Sequence, residues 1–131
     1  MKVSDFMTRK IEWIDANASI YDAMEKLVER RIRSLIVLWQ GEDKPKGVIT
    51  ARDIVFKVLS EGRDPRKVTV AEVACFPVIC VSKDEDIHKV VNIMKELNIA
   101  RVFVCDGERI IGVVALMDVM HAALVERALG G

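Results

Sequence analysis

Aromatic residues are scarce in this chain. They make up 5% of its 131 residues, although 51% of the residues are hydrophobic. The interior must therefore be Val, Ile, Leu, Ala and Met, and the apolar fraction is ample for a packed core, which excludes a disordered chain. An excess of either charge is also missing. Twenty Lys and Arg balance twenty Asp and Glu, for a formal net charge of +0. A neutral surface offers no general attraction to DNA, RNA or an anionic membrane. The basic stretches Arg30–Arg33 and Arg63–Lys67 are too small to change that. Long apolar runs are absent as well. The longest uncharged one, Ile110–Met117, falls far short of the roughly 20 residues of a membrane span. Met1–Lys10 contains Asp5 and no apolar run, so no signal peptide is expected there. The three cysteines, Cys75, Cys80 and Cys105, are odd in number and lack C-x-x-C spacing. They predict reduced thiols and a cytoplasmic location, not a disulfide framework.

Catalytic patterns are missing too. The two histidines, His88 and His121, and the three cysteines are scattered, without the clustered spacing of a metal site. No Ser/His/Asp or Cys/His arrangement and no Gly-rich phosphate loop stands out. The expectation is no catalytic residue, no metal and no enzyme. Trp13 and Trp39 read as packing residues, and the methionines at helical spacing as core.

What the chain does have is an internal repeat. Residues 3–37 align on 70–104 at a constant offset of 67, placing Val3 on Val70, Ile20 on Ile87, Glu29 on Glu96, Ile32 on Ile99 and Val37 on Val104. After a slip between Gln40 and Lys46, where a loop tolerates insertions, the offset becomes 65. Gly47-Val48 then falls on Gly112-Val113, Asp53 on Asp118 and Leu59 on Leu124. Each copy reads as an opening segment (Ser4–Met7; Ala71–Cys75), a short strand (Ile11–Ile14; Val78–Val81) and an amphipathic helix. A buried strand (Leu35–Trp39; Val102–Cys105), a further strand (Gly47–Thr50; Arg109–Ala115) and a closing helix (Arg52–Ser60; Met117–Leu129) follow. The first helix carries Ile20, Ala23, Met24, Leu27 and Val28 at i, i+3, i+4, i+7, i+8, with Ser19 as its cap. The second carries Ile87, Val90, Val91, Met94 and Leu97, capped by Asp86. The fold class is α/β: two tandem β-α-β-β-α repeats, 1–64 and 65–131, joined at Gly62–Lys67. A copy of about 65 residues has little interior of its own. Two copies packed with pseudo-two-fold symmetry would bury what each exposes, with the cleft between them as the ligand position.

This pattern resembles the CBS domain family in its tandem form, the Bateman module, over nearly the whole chain. The resemblance rests on Phe6-Met7-Thr8, on Ile32-Arg33-Ser34 before a Val/Ile strand, and on Gly47-Val48-Ile49-Thr50-Ala51-Arg52-Asp53. The last is similar to the family's Gly-x-x-Thr/Ser-x-x-Asp nucleotide motif, and it recurs in register as Gly112–Asp118. The resemblance implies a stand-alone regulatory energy sensor that binds AMP, ADP, ATP or S-adenosylmethionine and signals to an unidentified protein. It requires no other cofactor and is expected to form a homodimer through the closing helices, with Ile54, Val58, Val119 and Leu124 in the contact. A ligand-free interaction scaffold on the same fold is the alternative.

Thr50 and Asp53 have a purely structural reading, as N-cap and N3 of a capping box stabilising the helix by about 1 kcal/mol. The same geometry suits a ligand. A helix N-terminus attracts phosphate, a hydroxyl at its mouth bonds the ribose–phosphate side, and a carboxylate one turn in accepts both ribose hydroxyls. The resemblance implies these roles for Thr50 and Asp53. Arg33 and Arg101, near the helix-to-strand turns, would reach phosphates. The adenine slot would be Ile11, Ile14, Ile36, Val48 and the backbone of Thr8–Lys10, beside Gly47. In the second copy Asp118 is kept, but Thr50 is answered by Ala115, and Thr8 by Cys75. On this alignment the second site has lost both hydroxyls, and the site built on Thr50 and Asp53 is expected to be the tighter.

Overall fold

The structure is a computed structural model that describes residues 1–42 and 44–130. Its chain divides into two compact units, and these do not follow the repeat boundary at 64/65. One is continuous, Ile11–Val78; the other is split, Met1–Lys10 together with Ile79–Gly131. The opening segment of each repeat belongs to the unit that holds the other repeat's strands.

In the continuous unit, β1 (Trp13–Asp15) leads into α1 (Ile20–Arg30), β2 (Ser34–Leu38) and β3 (Gly47–Thr50). Next come α2 (Ala51–Ile54), which runs on as a π-helical turn over Val55–Leu59, a 3-10 turn (Pro65–Lys67) and α3 (Val70–Val73). The sheet order is β1-β2-β3, with β1 parallel and β3 antiparallel to β2. A parallel pair needs a crossover, and α1 supplies it. α1 starts where the Ser19 hydroxyl accepts the Asp22 N–H at 3.0 Å and ends where Arg31 turns left-handed at φ 56. Its Ile20, Ala23 and Leu27 pack on Leu35, Val37 and Ile49 of the sheet, and Val68, Val70 and Val73 close the core.

The split unit repeats the plan. A 3-10 turn (Val3–Asp5) belongs with β4 (Cys80–Ser82), α4 (Ile87–Leu97), β5 (Arg101–Asp106), β6 (Arg109–Ala115) and α5 (Leu116–Ala128). The sheet order is β4-β5-β6, again parallel then antiparallel. Asp86 caps α4 by accepting the His88 N–H at 3.2 Å, and Asn98 at φ 52 ends it. Val3 packs with Ile87, Val90, Met94, Val102, Val104 and Val114, so the opening segment is part of this core.

Several expectations shift. β1 and β4 each begin two residues later than anticipated, where pairing to β2 and β5 starts. Val28 and Leu97, assigned to the apolar stripes, lie at the stripe edges and are exposed. Ile54 and Val58, expected at a dimer contact, are core residues at 2% and 0% exposure. A further correction concerns the thiols. Cys80 and Cys105 form a disulfide with Cα atoms 6.1 Å apart, and only Cys75 is free. Cys80 pairs with Phe103 on the neighbouring parallel strand, two residues before Cys105, so both side chains leave the same face of the sheet. The thiol argument for a cytoplasmic location falls with it. No described helix is long and apolar enough to cross a membrane.

Candidate functional site

The Gly47–Asp53 motif folds as a strand running straight into a helix. Thr50 ends β3 in extended conformation and is the N-cap of α2. Its hydroxyl oxygen accepts the Asp53 N–H at 3.1 Å, as the capping reading requires. The same hydroxyl donates to Asp53 Oδ2 at 2.9 Å. The other carboxylate oxygen, Oδ1, faces the Lys57 ammonium at 3.3 Å, one turn further along. Asp53 is 16% exposed at its side chain, so its carboxylate is largely withdrawn from bulk water. Gly47 cannot carry a side chain: a Cβ would stand 2.5 Å from the Cys75 carbonyl oxygen and 2.6 Å from the Phe76 ring. The cause is a close backbone approach, in which Val48 N donates to Cys75 O at 2.9 Å and Cys75 N to Val48 O at 2.8 Å.

The second motif is built alike but differs in chemistry. Gly112 admits the chain in the same way, since a Cβ would meet Met7 Sδ at 2.7 Å and Thr8 O at 2.9 Å. Thr8 and Val113 exchange both backbone hydrogen bonds, at 2.8 and 2.9 Å. Asp118 Oδ2 accepts the Ala115 N–H at 2.9 Å, which is a plain capping arrangement.

These two approaches give each motif its neighbours within its own unit. Thr8 lies against the Asp118 motif. Cys75 takes the corresponding place in the continuous unit, with Sγ 3.7 Å from Asp53 Oδ2 and 3.9 Å from Lys57 Nζ. Each motif therefore keeps one hydroxyl, Thr50 in one unit and Thr8 in the other. The second has not lost both. The alignment could not reveal this, because it matches each opening segment to its own repeat.

Arg33 is exposed, and its carbonyl accepts the Ala51 N–H at 3.0 Å, so it flanks the entrance of α2. Arg101 starts β5 and pairs in register with Ala115. Ile36 and Val48 share the sheet face opposite the Leu35/Val37/Ile49 core, while Ile11 precedes β1 and is half-buried. Ile14 packs in that core. Lys57 escaped the sequence reading, although its i,i+4 spacing from Asp53 was a usable signal. His88 pairs with Glu126 at 3.2 Å, and His121 packs edge-on against Phe6. Among the described residues, no group of three or more His, Cys, Asp or Glu is placed to hold a metal ion.

The family model for the CBS domain matches residues 3–60 and 70–125. An uncharacterized protein of Methanopyrus kandleri is 34% identical over 97 residues, covering 73% of this chain and 49% of that protein. The chain thus spans about half the length of that relative. Hypoxic response protein 1 of Mycobacterium tuberculosis is 29% identical over 115 residues, covering 88% of this chain and 80% of that one. Among solved structures, a hexameric CBS-CP12 protein from bloom-forming cyanobacteria superposes with a TM-score of 0.85 at 28% identity, covering 92% of this chain and 66% of that one.

Proposed function

Because the chain belongs to the CBS domain family as a tandem pair, a regulatory type of module, we propose that it is a non-enzymatic sensor of an adenosine-containing ligand. AMP, ADP, ATP and S-adenosylmethionine are the candidates, and no further cofactor is needed. The Asp53 carboxylate carries this reading. In the capping boxes at Thr69–Glu72 and Ala115–Asp118 the carboxylate reaches back to a backbone N–H. Asp53 instead meets a hydroxyl and an ammonium, both able to rearrange around a ribose. In this reading Asp53 accepts the two ribose hydroxyls, Thr50 bonds the ribose–phosphate side, Arg33 contacts phosphate, and Gly47, Val48 and Ile11 adjoin the adenine. Asp118, Thr8 and Arg101 would form the corresponding site in the split unit, weaker because its carboxylate already caps a helix. Binding would act by population shift, through different affinities for two states. The ligands are intracellular metabolites, which makes a cytoplasmic location part of the proposal.

A homodimer fits the exposed apolar side chains. Val55, Phe56 and Leu59 follow α2, and Leu116, Met117, Met120 and Leu124 lie on α5. The same surface favours the alternative, a ligand-free scaffold that docks the regulated protein. Titration calorimetry with the four ligands separates the two. Heat with at least one is expected, and the Thr50→Ala/Asp53→Ala double variant should weaken it by about tenfold or more. No heat at millimolar ligand for any of the four would sink the sensor. Unchanged affinity in the double variant would place the site elsewhere.

A further inference from the structure

We propose that Lys57 sets the specificity of the Asp53 site, selecting phosphorylated adenosine ligands over the sulfonium one. This rests on the reading of Asp53 as the ribose acceptor and narrows it to a ligand class. The Lys57 ammonium lies 3.3 Å from Asp53 Oδ1, 3.4 Å from the Val73 carbonyl oxygen and 3.9 Å from Cys75 Sγ. It thus sits among the groups that surround the Asp53 carboxylate, at the edge where the Cys75 segment meets β3. Its side chain is 50% exposed, so the flexible stem is free to carry the charge away from Asp53.

The electrostatic consequence is direct. An isolated, largely withdrawn carboxylate attracts cations, and a sulfonium is one. With Lys57 beside it the Asp53 charge is matched. Ribose hydroxyls are neutral donors, so a ribose seated on Asp53 lets the ammonium turn to another anion without leaving the site. The ammonium stays within a side-chain length of whatever the ribose carries at its 5′ position. A phosphate there is attracted and a sulfonium is repelled, so the same residue adds affinity for one class and subtracts it for the other. Neighbouring charge has the same sign: Arg52 is held over the Phe56 ring at 5.1 Å, and Arg33 flanks the start of α2. The register-equivalent residue in the split unit is Ala122, buried at 2% exposure. The contribution of a lysine at this position therefore belongs to the Asp53 site.

The test is calorimetry on the full chain with ADP, adenosine and S-adenosylmethionine, comparing wild type, Lys57→Gln and Lys57→Arg. Lys57→Gln should weaken ADP about tenfold, a typical worth of one charge-assisted contact. It should leave adenosine nearly unchanged and leave S-adenosylmethionine unchanged or tighter. Lys57→Arg, which keeps the charge, should recover most of the ADP affinity. Lys57→Met, which keeps the aliphatic stem, repeats the measurement if glutamine disturbs the fold. An ADP-to-adenosine affinity ratio equal in wild type and both neutral variants overturns the assignment while leaving the ribose site standing. Wild type that binds none of the three overturns the ribose reading and the assignment together.

Discussion

At the scale of single residues, two carboxylates three places after a helix-start threonine take different roles. Glu72 caps. Its Oε2 accepts the Thr69 backbone N–H at 2.7 Å and the Thr69 hydroxyl at 3.0 Å, and Arg63 stands 3.6 Å from Oε1. The backbone hydrogen bond first, then the hydroxyl, hold its pKa below the ordinary carboxylate value, with Arg63 adding to the same direction. A carboxyl whose folded pKa is depressed contributes stability that is fully present above its unfolded value and is lost as pH falls through the folded value. Glu72→Gln should therefore lower the thermal midpoint at neutral pH. The gap to wild type should close on acidification below about pH 4.5. Melting curves at stepped pH check this, and a gap that is constant down to strong acid would deny the linkage. Asp53 takes the other role, and its partners were only half legible. Thr50 and its capping bond were readable from spacing three. Lys57 was readable from spacing four. Cys75 was not, because 22 residues and a segment exchange separate it from Asp53.

At the scale of elements, periodicity located α1 and α4 but not α3, which was read only as part of an opening segment, and it did not always give the face a helix presents. The helix after Thr50 shows why. Its residues alternate between core (Ile54, Val58) and exposed apolar positions (Val55, Phe56, Leu59), so an apolar helix read without its partners has two candidate contact faces. Core packing took the first, and the exposed set was left for a second copy or a partner. Short strands carry a different ambiguity. β4 has three residues with an exposed, half-buried, exposed pattern, too weak to hold its edge by burial alone. The Cys80–Cys105 disulfide ties it to β5, and spacing could not announce a pair 25 residues apart on neighbouring strands. Closing a loop of that length lowers the entropy of the unfolded chain by an amount worth about 3.5 kcal/mol. Reduction, or Cys80→Ser, should shift the urea midpoint down accordingly. Alkylation of the unreduced native protein, followed by mass spectrometry, should label Cys75 and spare Cys80 and Cys105. Labelling of all three would refute the pairing.

At the scale of the whole molecule, the repeat and the folding unit are different objects. The duplication divides the chain near residue 64, whereas the packed units divide it after Lys10 and after Val78. Side-chain burial decides between them. The core of the continuous unit includes Val68, Val70 and Val73, at 4%, 0% and 2% exposure, all beyond the first repeat. Backbone bonds tie that segment in as well. Ile20 N donates to Val68 O, Val70 N to Ala18 O and Ala71 N to Ala16 O, each at 2.8 Å. A peptide ending at 64 loses all of these, and each buried valine is worth roughly 1.5 kcal/mol or more. Three such losses approach the entire stability of a small domain, about 5 kcal/mol at the low end. The first repeat also carries Val3, whose packing partners all lie in the other unit's core. A fragment of residues 11–78 should therefore show native-like helix content by circular dichroism and a cooperative urea transition. A fragment of residues 1–64, although it is one whole repeat, should show neither. Equal cooperativity in the two fragments would mean that the repeat folds on its own, and that the crossing of the opening segments follows folding instead of defining it.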